Sequence, residues 1–318
     1  MICLSNIKFV GKDLNRPECV LIDPKNTLHV SDFRGGITRI YSSGKIKLTK
    51  PNNGFKIKPN GLTIYNKNSW LVTHLDEKEG GVYKLNFNGD IEPYLLEIEN
   101  KPIPPTNYVH FDFHGRIWVT VSTRKIPRIL SHNRYCDDGF IILIDDGKPR
   151  IVAEGLGFAN ECFFNPFDKK LYVNETFGKK ISSFDIGRNG ELINKKILSS
   201  FEFGEFPDGL TLDSEGSFWV TSIFSNKVIR VLPNGEKQTI LEDSNKKYLN
   251  LIEKAFQNGN LSRPIMNDLK SIKLKNISSL AFGGKELKDI YLGCLLGQQI
   301  AYFSHNISGL EPAFWKNC

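Results

Sequence analysis

The sequence predicts an all-β fold, a six-bladed β-propeller closed into one domain over residues 1–318. Two observations predict it. A short pattern recurs six times: a polar opening residue, alternating apolar positions, a turn rich in Asp, Gly, Asn or Lys, and a second apolar strand. The openings are Glu18, Asn60, Asn107, Asn160, Asp208 and Ser278, 42 to 53 residues apart until a last interval of 70. A period of roughly 40–50 residues with several strands per unit is the mark of a propeller.

The elements follow in chain order. Residues 1–15 fit no complete unit, so they are expected to supply the outer strand of the last blade and close the ring, which removes an exposed sheet edge. In each blade the first strand follows the opening residue and the second ends 12 to 14 residues later, at Val30, Val72, Val119, Val173, Val220 and Leu292. Both strands alternate with period two. Blade five reads most clearly, with Leu210 and Leu212 in its first strand, then Phe218–Thr221, Lys227–Val231 and Gln238–Leu241. The long last interval holds a short helical insertion between blades five and six, about 244–275. A helix from Ser244 to Lys254 is expected, with Ser244 as N-cap, Leu249, Ile252 and Phe256 at helical spacing, and Gly259 as its stop. The insertion reads as a surface excursion or as a lid over one mouth.

Composition narrows the function classes. With 40% apolar and 24% charged residues the chain is an ordinary globular one. No stretch approaches about 18 uninterrupted apolar residues, so no membrane association is expected. The start, Met1-Ile-Cys-Leu, is too short for a signal-peptide core. Six cysteines without a Cys-x-x-Cys pair suggest reduced thiols, hence a cytoplasmic protein without structural zinc. The net charge of +7 comes from scattered lysines rather than a basic stripe with stacking aromatics, so no nucleic-acid partner is expected. The expected partner is a small-molecule substrate. The oligomeric state is left open.

Chemistry is read from the openings. In a propeller the first strands line the central channel, so equivalent positions form a ring at one mouth. Two carboxylates, Glu18 and Asp208, and three amides converge there with Ser278. Buried carboxylates repel and resist ionisation unless a cation lies between them. Oxygen donors without thiolate or imidazole suit a hard divalent ion, Ca²⁺ first, then Mg²⁺ or Mn²⁺. Taken singly, an Asp-Gly or Asn-Gly at a strand start reads as a turn. Ends of second strands return to the same mouth, which makes Asp32, His74, Arg124, Glu175 and Ser222 candidates to line the pocket. His29 and His110 lie within strands and read as packed or outward-facing. No Gly-x-Ser-x-Gly elbow and no Walker or dinucleotide fingerprint is present.

The chain resembles the SMP-30/gluconolactonase/luciferin-regenerating enzyme-like family. The resemblance is carried by Arg-Pro-Glu18, Asn107, Phe-Ala-Asn160-Glu, Phe-Pro-Asp208-Gly-Leu and Ser278-Ser-Leu-Ala-Phe-Gly-Gly284. It implies a six-bladed propeller with one catalytic divalent ion, usually calcium, held by Glu18, Asn160 and Asp208; Zn²⁺ is a further alternative. It implies lactone hydrolysis, with Asp208 as ligand and general base and Asn107 as a catalytic and substrate-binding amide. Asn60 receives no ligand role. Pro105 stands where sugar-lactone members carry an arginine, and Arg124-Lys125 replaces an acidic contact. Arg124, His74 and Glu175 are therefore expected to join Asn107 in binding a substrate, possibly an anionic one. The alternative is a non-catalytic propeller that binds a small ligand or peptide, with the cation serving only as a structural plug.

Overall fold

The computed structural model describes residues 1–318 as six four-stranded antiparallel sheets, a two-stranded ribbon (Glu97–Ile98 with Lys101–Pro102) and two helices. The first strands are Val20–Ile22, Pro59–Asn66, Tyr108–Phe111, Ala159–Asn165, Pro207–Leu212 and Ile277–Gly283. Each touches the first strand of the next blade, and the sixth touches the first, so the ring closes. The expected register holds: the second-strand residues Val30, Val72, Val119, Val173, Val220 and Leu292 face Val20, Leu62, Val109, Cys162, Leu210 and Leu280. Closure is also as expected. Lys8–Val10 pairs with Ile300–Ser304 and forms the outer strand of blade six.

The inter-strand turns are built on aspartates at a fixed offset. Asp23, Asp112 and Asp213 each accept the backbone N–H groups two and four residues on. Each then bonds a ring nitrogen six residues on: His29 at 3.2 Å, Trp118 at 2.8 Å and Trp219 at 2.9 Å. One carboxylate thus shapes the turn and anchors a buried ring in the second strand. Apolar packing fills the space between blades, with Trp70, Trp118 and Trp219 wholly buried.

Four first strands carry the same bulge. One extra residue is inserted at Asn60-Gly61, Asn160-Glu161, Asp208-Gly209 and Ser278-Ser279. These dipeptides are therefore not turns. A bulge re-aims a side chain and is common beside functional sites. Space explains the glycines: a Cβ on Gly61 would lie 2.6 Å from the Tyr108 Cα, and one on Gly209 would lie 2.6 Å from the Ser278 carbonyl.

The insertion differs in detail from expectation. Helix α1 runs Lys246–Gln257, and its N-cap is Asn245 rather than Ser244. The Asn245 Oδ1 accepts the Tyr248 N–H at 3.0 Å, while the Ser244 hydroxyl turns back to Glu242. A second short helix, α2, spans Arg263–Asn267. Leu249, Ile252 and Phe256 are buried as expected, against Phe158, Phe177, Phe206 and Phe224. Those four lie at the ends of strands where the opening residues sit, so the insertion packs onto the ring mouth. No helix is long and apolar enough to cross a membrane.

The opposite end is covered by a segment that the strand pattern did not reveal. Phe314 packs among Leu21, Leu62 and Tyr108, and the Trp315 indole donates to the Ile22 carbonyl at 2.7 Å. Asn317 reaches the Ile64 carbonyl at 3.3 Å.

The cap assignment yields a paired test. Asn245→Ala should cost about 1 kcal/mol, the usual loss for a helix N-cap, and Ser244→Ala a few tenths at most. Urea unfolding of both variants measures this; equal costs would remove Asn245 from the cap.

Candidate active site

The opening residues lie at one mouth, where hydrogen bonds link Asn60 to Glu18 and Asn107 and Ser278 to the Glu18 carbonyl. Glu18, Asn160 and Asp208 are 6%, 5% and 4% exposed, so their oxygens are largely cut off from water. The Asn60 amide donates to Glu18 Oε1 at 3.0 Å and to Asn107 Oδ1 at 2.7 Å. Asn107 Nδ2 donates to the Ser122 hydroxyl at 2.8 Å. Asn160 Nδ2 donates to Thr176 Oγ1 at 3.0 Å, but Asn160 Oδ1 has no partner.

Burial pushes the Glu18 carboxyl above its ordinary range, with Arg16, Arg128 and the Asn60 amide opposing. Asp208 lies well above its range, through burial first and the Glu18 charge second; the same two arginines and Asn160 oppose this. Nearby guanidinium groups thus fall short of compensating the pair. A buried amide oxygen without a donor, beside two buried carboxylates whose pKa values are raised, fits a hard divalent cation. Nowhere do three His, Cys, Asp or Glu side chains gather in metal-binding geometry, so a cation site in this protein has to enlist amide oxygens.

The expected pocket-lining residues separate. Arg124 does not reach the ring. Its guanidinium lies over the Phe140 ring at 4.2 Å and pairs with Glu154, with 42% of the side chain exposed. His74 packs between Phe55 and Tyr83, and its Nδ1 accepts the Lys58 N–H at 3.0 Å. Glu175 is buried and turned to its own blade, where it accepts from Gly157 N at 2.6 Å, from Ser182, and from Lys195 at 2.9 Å. Burial alone would raise the Glu175 pKa; these donors hold it below the ordinary value. Asp32 is taken up by Arg34 and Thr38, and Ser222 by Phe206 N and Ser225. The cause is shared: second-strand ends bury their polar atoms against their own blade. His29 and His110 are packed, accepting from Trp70 and from Phe164 N.

Three contributors were missed. Asn60 is the most connected side chain of the ring, holding both Glu18 and Asn107. Arg16 donates to Asn60 Oδ1 at 3.0 Å; the Arg-Pro-Glu18 motif contains it, but the blade register singles out only the glutamate. Arg128 donates to the Ser122 hydroxyl at 3.1 Å and lies over Phe158 at 4.8 Å. It opens a single 3-10 turn, Arg128–Ser131, too short for a periodic pattern to show which side chain turns inward.

The comparisons agree with this architecture. The SMP-30/Gluconolactonase/LRE-like region matches residues 16–244, and the chain belongs to this family. Helix α1 and blade six lie beyond that match. A Bacillus subtilis protein, YvrE, provisionally named a sugar lactone lactonase, is 23% identical over 253 residues, covering 76% of this chain and 72% of that one. Regucalcin of Oryctolagus cuniculus is 21% identical over 179 residues, covering 55% of this chain and 49%, about half, of its own length. Among solved structures, the gluconolactonase XC5397 of Xanthomonas campestris superposes with a TM-score of 0.68 at 16% identity, covering 94% of this chain and 89% of that one. At that identity the likeness is one of fold.

Glu175 offers a direct check of the packing. Glu175→Ala leaves Gly157 N, Ser182 and Lys195 without their acceptor, and should cost about 3 kcal/mol or more. A loss below about 1 kcal/mol in chemical denaturation, typical of an exposed pair, would contradict this placement.

Proposed function

We propose that the protein is a divalent-metal-dependent hydrolase that opens small lactones. The observation that carries this is the buried set of Glu18, Asp208 and the unpartnered Asn160 Oδ1 at one mouth of the channel. Glu18, Asn160 and Asp208 would hold the ion. Calcium suits three oxygen donors of this kind best. When bound, the ion supplies Lewis-acid polarisation of the lactone carbonyl.

The chain's own groups account for the proton. Asp208 takes a proton from the attacking water as the water oxygen adds to the carbonyl carbon. The ring C–O bond then breaks, and the proton passes from Asp208 to the leaving alkoxide, giving a hydroxy acid. Asn107 is held at both ends, by Asn60 and by Ser122, so it sets the spacing of the ring and keeps one lone pair of Oδ1 for a ligand. The far end of the channel is occupied by Phe314, which leaves substrate the ring mouth.

Two measurements test the reading. Calcium at about a hundredfold excess over its Kd should stabilise the protein by about 2.7 kcal/mol, seen as a rise in Tm that EDTA reverses. Asn160→Ala should abolish the rise. A wild-type Tm indifferent to calcium, magnesium and manganese would remove the metal. Asp208→Asn should lower lactone turnover by at least about a hundredfold, the lower range for loss of a general base. A metal-bound protein that hydrolyses no member of a lactone panel would instead be the non-catalytic propeller with a structural cation.

A further inference from the structure

Five arginines pair with acids, Arg150 with Asp145 among them, while others bond neutral oxygens, as Arg134 does that of Gln257. Arg34, Arg116, Arg124 and Arg230 are the other four in acid pairs. Arg16 and Arg128 bond neutral oxygens instead, those of Asn60 and Ser122. Those two oxygens belong to one chain of hydrogen bonds through the ring: Arg16 to Asn60, Asn60 to Asn107, Asn107 to Ser122, and Arg128 back to Ser122. The two guanidinium groups therefore flank the Glu18 side of the candidate site. Arg128 Nε is buried and has no acceptor. Arg263, at the start of α2, brings a third charge to the same place from the insertion, close enough to act on both Arg16 and Arg128.

Charge counting sharpens the point. Glu18 and Asp208 suffice to neutralise one divalent ion. The half-buried Arg16 and Arg128 and the exposed Arg263 then stand against one further buried acid, Glu161, on which the Glu18 and Asp208 charges act, so positive charge remains in excess and favours the entry of an anion. A buried N–H without an acceptor is likewise costly to leave unfilled.

We propose that Arg128, assisted by Arg16 and Arg263, recognises a carboxylate on the substrate, so that the lactone this protein opens is an anionic one. This rests on the hydrolase reading and supplies its substrate class. Arg124, which the sequence favoured for this task, is held outside the ring by Glu154 and Phe140. Guanidinium suits the role because its planar donors match a carboxylate and because it already stacks on Phe158.

The test compares ring opening of 5-oxotetrahydrofuran-2-carboxylate with that of its neutral methyl ester, in calcium-containing buffer. Wild type should favour the carboxylate by about tenfold or more in kcat/KM, through KM, and Arg128→Gln should bring the ratio towards one. Arg128→Lys should restore part of it, and Arg124→Gln should leave it as in wild type. Arg263 is exposed, so Arg263→Gln is not expected to disturb folding; it should lower the ratio about threefold, which keeps the inference testable if Arg128→Gln misfolds. A wild-type preference for the ester, or an unchanged ratio in Arg128→Gln and Arg263→Gln alike, overturns the inference while the hydrolase reading stands. If neither compound is opened, calorimetric titration with 2-hydroxyglutarate, the ring-opened product, decides it separately. Binding that weakens in Arg263→Gln and Arg128→Gln upholds anion recognition, and no binding to wild type overturns it.

Discussion

The structure depends on how polar side chains of one blade reach the first strand of the next. Six first strands converge on one axis, but adjacent first strands lie in different sheets and share no ladder. Apart from Gly61 N, which donates to the Asn107 carbonyl at 2.9 Å, side chains have to supply the donors for their inner carbonyls. Ser278 supplies the Glu18 carbonyl, and Asn60 and Thr73 supply the Asn107 carbonyl. Ser122 supplies Ala159, Asn174 supplies Asp208, and Thr221 supplies Ser278. A buried carbonyl left unpaired costs of order 1–3 kcal/mol, so this stitching is a condition for bringing the blades together. It also fixes the spacing of the very residues whose side chains form the site.

The ring is electrostatically unfinished. Two carboxylates are buried with arginines nearby, yet both remain above their ordinary pKa range, and an amide oxygen faces them without a donor. Such an arrangement is costly by itself and favourable once a hard cation enters. A cation held by Glu18 and Asp208 would add to the positive charge that Arg16, Arg128 and Arg263 already bring to the mouth. One cluster thus supports both the proposed metal and the proposed anionic substrate, and the two proposals stand on different atoms.

Additions outside the blade pattern give the channel its polarity. The insertion lays an aromatic core over the mouth at blades four and five and contributes Arg263. The C-terminal segment packs Phe314 and Trp315 across the other end.

The repeat, the blade register, the ring-closing first strand and the place of Glu18, Asn160 and Asp208 at the starts of first strands were legible in the sequence. Period-two alternation and a fixed spacing are local properties, and propeller geometry turns equal register into spatial proximity. The helix was legible to within one residue of its cap, because Ser244 and Asn245 can both cap and only the backbone decides which does. The direction of loop and strand-end side chains was not legible. Arg124 and Arg128 are four residues apart in one inter-strand connection, the second at the start of a 3-10 turn, and Glu154 and Phe140 draw one outward while Ser122 and Phe158 hold the other at the ring. His74 and Glu175 end second strands as expected, yet donors in their own blades claim them. The sequence by itself determined the fold and which residues open the first strands at one mouth. Only the tertiary structure decided which charges surround them, because that depends on partners distant in the chain.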